Sequence, residues 1–245
     1  IVGIVPVVQG TAVDAAPLVF VQVPVEAKQS TDRVQYTPSP VVGSRILRYD
    51  PEQPEEGLIN LTAEFLGAQD PEVSFDGERI LFAGKRTETD SWDIWEMRAD
   101  RTFLRRLVDQ PGDDFQPVYT GCLNTLNEPE WDQILFVSTA GGFLTETGEE
   151  QATALYTCKL DGSYIHRISY NLSSDFDPFI LHDGRVIFTS WQQNASRYPP
   201  VGLFPLMAMY TDGIDLMPFY GKSRDAPCQT IRSRDVRQPC LSLIH

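Results

Sequence analysis

Asp70-Pro71-Glu72-Val73-Ser74-Phe75-Asp76-Gly77-Glu78-Arg79-Ile80-Leu81-Phe82 holds two short apolar segments with a reversal between them. Asp-Gly is a strong turn signal, because glycine takes a positive φ without a Cβ clash and lets the chain double back. The run Arg79–Ala83 is nearly all apolar, the pattern of a strand covered on both faces. A polar gap follows. Then Asp93-Ile94-Trp95-Glu96-Met97 alternates as a third strand, and Leu104–Val108 supplies a fourth. Four short strands joined by tight turns make one small antiparallel sheet.

The same grammar recurs along the chain. Asp175-Phe176-Asp177-Pro178 leads into Phe179–Leu181, an Asp183-Gly184 turn and the apolar run Arg185–Thr189. Between these two copies lies a degenerate one: Glu130–Ala140, then Ala154–Leu160, an Asp161-Gly162 turn and Ile165–Ser169. An incomplete earlier copy runs over Ala16–Val25 and Ser44–Thr62. The Pro anchors fall at Pro71, Pro117 and Pro178, with the first strand of each unit expected after the proline. A sheet with two apolar faces is stable only when stacked on others, so repeats of this kind build a β-propeller. The expectation is an all-β fold of four-stranded antiparallel blades. About four lie in this chain, at 15–69, 70–116, 117–177 and 178–222, as a whole ring or part of a six- or seven-bladed one. Residues 223–245 read as an irregular segment or the start of a further blade. The acidic stretch Asp50–Glu56 reads as a turn rather than a helix.

Composition narrows the function. The chain has 245 residues, 42% hydrophobic, and acidic residues exceed basic ones to give a net charge of −14. That excess argues against nucleic acid, whose phosphates require Lys/Arg neutralisation, and suits a basic partner. No stretch nears the ~20 apolar residues that cross a bilayer. The start at Ile1, without a Met, and the close at Leu243-Ile244-His245 read as a piece of a longer chain or a processed one.

The four cysteines form no C-x-x-C or C-x-x-C-H motif, so no c-type haem site is expected in these residues. An even count permits disulfides, Cys228–Cys240 across a basic stretch and Cys122–Cys158 within one unit, or buried free thiols.

Asp113, Asp114, Asp175 and Asp177 cluster at blade entrances. They read either as an acidic channel mouth that could hold a cation such as Ca2+ through oxygen ligands, or as turn residues accepting backbone N–H bonds. Trp92, Trp95, Trp131 and Trp191 read as packing between blades or as an aromatic binding surface, with Trp191 expected to be the exposed one. His166, His182 and His245 have no partners visible in sequence, and no G-x-S-x-G elbow appears. Asn60, Asn171 and Asn194 begin glycosylation sequons.

The pattern D-P-x-x-S-x-D-G-x-x-I-x-F, carried by Asp70-Pro71, Ser74, Asp76-Gly77, Ile80 and Phe82, resembles the TolB-type propeller repeat. Asp177-Pro178, Asp183-Gly184, Val186 and Phe188 repeat it in part. With Asp93–Met97 and Asp113-Asp114-Phe115-Gln116-Pro117, the wording is similar to the amino-terminal propeller of hydrazine synthase alpha subunit-like proteins, over about Leu18 to Tyr220. This resemblance implies a periplasmic or extracellular docking platform. It also implies c-type haem on an adjoining domain or a multihaem cytochrome partner, with none in this chain. Three functions follow as alternatives. One is a non-catalytic scaffold that holds a protein partner. The second is the propeller of a larger haem redox enzyme. The third is the propeller of a peptidase or glycan-active enzyme.

Overall fold

The computed structural model describes residues 16–24, 37–123, 129–193 and 202–220. They form four antiparallel sheets and one 3₁₀ turn, Pro54–Glu56. The first sheet contains β1 (Leu18–Gln22), β2 (Arg45–Tyr49) and β3 (Leu58–Asn60). The second contains β4 (Gly67–Val73), β5 (Arg79–Lys85), β6 (Asp93–Arg98) and β7 (Arg105–Arg106). The third contains β8 (Asp114–Leu123), β9 (Trp131–Ser138), β10 (Ala154–Lys159) and β11 (His166–Arg167). The fourth contains β12 (Ser174–Ile180), β13 (Val186–Trp191), β14 (Leu206–Met209) and β15 (Met217–Tyr220). Each sheet is a meander in sequence order, as a propeller blade requires.

The Asp-Gly pairs sit where the sequence places them. Gly77 and Gly184 close the first hairpin of their sheets at φ 77° and 84°, and Gly162 and Gly213 close the last at 86° and 84°. The prolines do not precede the first strand. Pro71 and Pro178 lie inside β4 and β12, at shifts of register between Gln69 and Glu72 and between Phe176 and Phe179. A proline has no N–H to give to a ladder, and a bulge is the place in a strand where none is needed. The sheets therefore begin earlier than expected, at Gly67, Asp114 and Ser174.

Consecutive sheets are tied by the same backbone bond. The N–H of Ala68 donates to Ser44 O, that of Asp114 to Trp92 O and that of Asp175 to Thr153 O. Ser44 thus holds in the first sheet the place that Trp92 and Thr153 hold later. β1–β3 correspond to the second, third and fourth strands of the other sheets. Side chains fill the layers between. Ile46, Phe65, Phe82 and Trp95 pack between the first and second sheets. Leu81, Ile94, Ile134 and Phe136 pack between the second and third. Phe115, Leu155, Phe188 and Trp191 pack between the third and fourth.

The joints differ in tightness. A Cβ on Gly162 would lie 2.2 Å from Leu107 O, and one on Gly213 would lie 2.9 Å from Ile168 O. Glycine allows those hairpins to press on the preceding sheet. The corresponding residue in the second sheet is Arg101, at φ 70°. There the joint opens into a cleft of about 400 Å³ between Leu61, Glu64, Arg86, Met97, Arg101 and Leu104. Arg101→Gly is expected to raise stability by about 0.5–1 kcal/mol in urea unfolding, by relieving the left-handed backbone.

Candidate functional site

Three positions on the innermost strands share one conformation. Asp70, Gln116 and Asp177, each just before its proline, have φ of 54°, 52° and 53°. This left-handed region costs a residue with a Cβ of order 1 kcal/mol or more unless its surroundings fix it. Here they do. Gln116 N donates to Asp70 Oδ2 (3.2 Å), Asp177 N to Gln116 Oε1 (2.8 Å) and Gln116 Nε2 to Asp177 Oδ1 (2.5 Å). The three residues form a belt across β4, β8 and β12, sheet to sheet. Gln69 of the same bulge accepts from Val41 N (2.8 Å), which draws the segment before β2 onto the belt.

Two residues earlier on β8 and β12, the repeat carries Asp114 and Asp175, both buried. Gln110 Nε2 donates to Asp114 (2.9 Å), and Asn171 Nδ2 to Asp175 (3.1 Å), from equivalent positions four residues back. Ser138 and Ser190, directly across the ladder, add hydroxyl bonds. Asn171 also donates to Trp191 O (2.7 Å), so this sequon asparagine is a structural clamp. Burial pushes the Asp175 carboxyl up, opposed by Ser169, Ser190 and Asn171.

These placements correct the surface expected from sequence. Asp114, Asp175 and Asp177 are buried strand residues, neither exposed nor in turns, because each innermost strand starts ahead of the proline. Asp113 is half-buried: its carboxylate accepts from Trp92 N (3.0 Å) and its N–H donates to Thr139 Oγ1 (2.8 Å). Trp191 is 1% exposed and stacks on Phe204 with an interplanar angle of 6°. Among the described residues, no three His, Cys, Asp or Glu side chains converge to hold a metal. Cys122 and Cys158 are free thiols, one exposed and one buried. They lie on β8 and β10, with β9 between them. Strands two apart are separated by about 9–10 Å, beyond the ~7 Å Cα span of a disulfide. Burial holds the Cys158 thiol up at about 12. Cys228, Cys240, Asn194 and His245 lie outside the described residues, while His166 and His182 are exposed.

Sequence reading missed Glu96. Its side chain is fully buried on β6, ion-paired to Arg105 of β7 (2.7 Å) and to Arg79 of β5 (3.6 Å). It accepts the hydroxyl of Tyr119 from β8 of the next sheet (3.2 Å). The available signal was a lone acidic residue inside the apolar string Ile94-Trp95-Glu96-Met97.

The last strand of the fourth sheet is exposed, although β13 and β14 beside it are buried throughout. Every residue of β15 is exposed, including Met217, Phe219 and Tyr220, and Ile214 and Leu216 before it are exposed as well. A contiguous patch of this kind marks a contact surface more often than isolated apolar residues do.

No family model matches the chain. It is similar to hydrazine synthase subunit alpha of Kuenenia stuttgartiensis, with 29% identity over 73% of this chain and 27% of that protein. The solved Kuenenia stuttgartiensis hydrazine synthase superposes at a TM-score of 0.74 and 26% identity, over 91% of this chain and 33% of that one. The chain thus spans about a third or less of the length of these relatives. A TolB from Agrobacterium tumefaciens superposes at 0.56 with 20% identity over 84% of this chain and 62% of that one. TolB from Acinetobacter baumannii superposes at 0.51 with 15% identity over 86% of this chain and 42% of that one. The propeller fold and the resemblance to the hydrazine synthase alpha and TolB-type propellers read from the repeat are borne out. Among the described residues no helix is long and apolar enough to cross a membrane.

Proposed function

We propose that this chain is a non-catalytic propeller module of an exported complex, holding a neighbouring protein or domain against its sheets. The observation that supports it is the exposed apolar strand β15, with Ile214 and Leu216 before it. Burying such a surface contributes roughly 25 cal/mol per Å² of apolar area, so it favours a protein contact over water. The charge of −14 favours a basic partner surface around that contact. The similarity to hydrazine synthase subunit alpha supports a second reading: a propeller that belongs to a c-type haem redox enzyme, with the haem outside these residues and on a multihaem partner or adjoining domain.

Isolation of the native protein from its source tests both. The expected result is co-elution with further polypeptide, lost when Phe219 and Tyr220 are changed to Asp. A Soret band in the co-eluting fraction selects the redox assembly, and a colourless complex selects the simple scaffold. A native species no larger than this chain, unaffected by those substitutions, overturns the docking role.

A further inference from the structure

The two equivalent aspartates Asp114 and Asp175 are not equally provided with partners. Asp175 has three side-chain donors: Asn171, Ser190 and Ser169. Ser169 lies two residues beyond β11, the last strand of the preceding sheet, and its hydroxyl also accepts from Leu155 N (2.9 Å). Thr62 lies two residues beyond β3 in the same way and accepts from Ile46 N (3.0 Å). The residue at this place in the second sheet is Val108, which is fully buried and carries no hydroxyl. Asp114 is therefore left with Gln110 and Ser138, and its Oδ2 has no hydrogen-bond partner.

The charges around Asp114 do not compensate. Asp93 of β6 and the adjoining Asp113 face it with like charge, and Tyr156 and Cys158 of β10 are the other titratable groups near it. The nearby cation, Arg106 of β7, is engaged by Asp93 (3.2 Å) and by Asp109. A buried, partly bonded carboxylate between two others is costly to ionise.

We propose that the contact between the second and third sheets is a pH-sensitive joint, closed while Asp114 carries a proton and loosened when it ionises. Burial, with Asp93 and Asp113 adding to it, brings this carboxyl up to about 7, against 3.8 for the ordinary group. The folded state then binds the proton more tightly than the unfolded chain. The stability this provides is complete below 3.8 and is lost as pH rises through about 7.

Thermal unfolding of the full chain, combined with an infrared pH titration, tests the joint. Between about pH 5 and pH 8 the wild-type midpoint is expected to fall by roughly 5–10 °C. Asp114→Asn should remove at least half of that fall. The C=O stretch of protonated carboxylic acids should lose a component between about pH 5 and pH 8, and that pH-dependent component should be missing in Asp114→Asn, whatever band Asp175 and Asp93 contribute. Val108→Ser, which supplies the absent hydroxyl, should move the midpoint of that component to lower pH. An Asp114→Asn variant that loses stability as steeply as the wild type overturns the proposal. So does a component whose midpoint Val108→Ser leaves unchanged, a readout that holds even where the asparagine variant does not fold.

Discussion

Trp191→Ala is expected to destabilise the chain by about 4 kcal/mol, read as a lower urea midpoint at constant slope. The indole ends β13, 1% exposed, and lies parallel to Phe204 at 5.7 Å between ring centroids. Phe176 meets Phe204 edge-on at 6.5 Å, so the truncation removes the support of a ring that is itself packed on another. Large aromatic deletions fall at the upper end of core substitutions because rigid neighbours relax little into the gap. Trp191→Phe keeps most of the stack and is expected to cost about 1–2 kcal/mol. A loss under about 1 kcal/mol for the alanine variant would mean that this layer is not packed as described.

The contrast between the repeat and its side chains shows what a single sequence can carry. Local signals did their work wherever one residue's own chemistry decided the backbone. Asp76-Gly77, Asp161-Gly162, Asp183-Gly184 and Asp212-Gly213 all sit at hairpin bends with positive φ at the glycine. The apolar run at Arg79–Ala83 became β5, whose central residues are buried. Long-range geometry was not legible. Whether an Asp-Pro pair stands before a strand or within it depends on a bulge, which shows only once the partner strand is placed. That one difference turned the expected surface of Asp114, Asp175 and Asp177 into buried joints. Trp191 read as exposed because a polar loop follows it, yet its ring faces back toward Phe204. A repeat alignment could have found the belt: the residue before each proline is Asp70, Gln116 or Asp177, all able to bond the next backbone N–H. The same alignment displays Val108 where Thr62 and Ser169 stand.

Glu96→Ala is expected to cost about 3 kcal/mol, and the reason lies in what the carboxylate joins. Arg105 grips it through Nε (2.8 Å) and extends a second nitrogen to Leu160 O of the third sheet (2.6 Å). Tyr119 reaches it from β8. One buried group thus links three strands of the second sheet to two segments of the third. Removing it leaves a cavity and an unpaired phenol; the arginines, each about a third exposed, can rehydrate. The loss therefore falls at the lower end of the ~3–5 kcal/mol for a broken buried pair. Arg105→Ala should cost a similar amount, since it strands a fully buried charge with Tyr119 and the more distant Arg79. The double variant should lose clearly less than the sum, because neither charge then remains without the other. Tyr119→Phe deletes one hydrogen bond and should cost about 1 kcal/mol. Raising the salt should change the Glu96→Ala loss little, because screening acts weakly on a carboxylate that water does not reach. Strict additivity of the two single losses would show that Glu96 and Arg105 act separately, and would remove this ion pair as the clasp between the second and third blades.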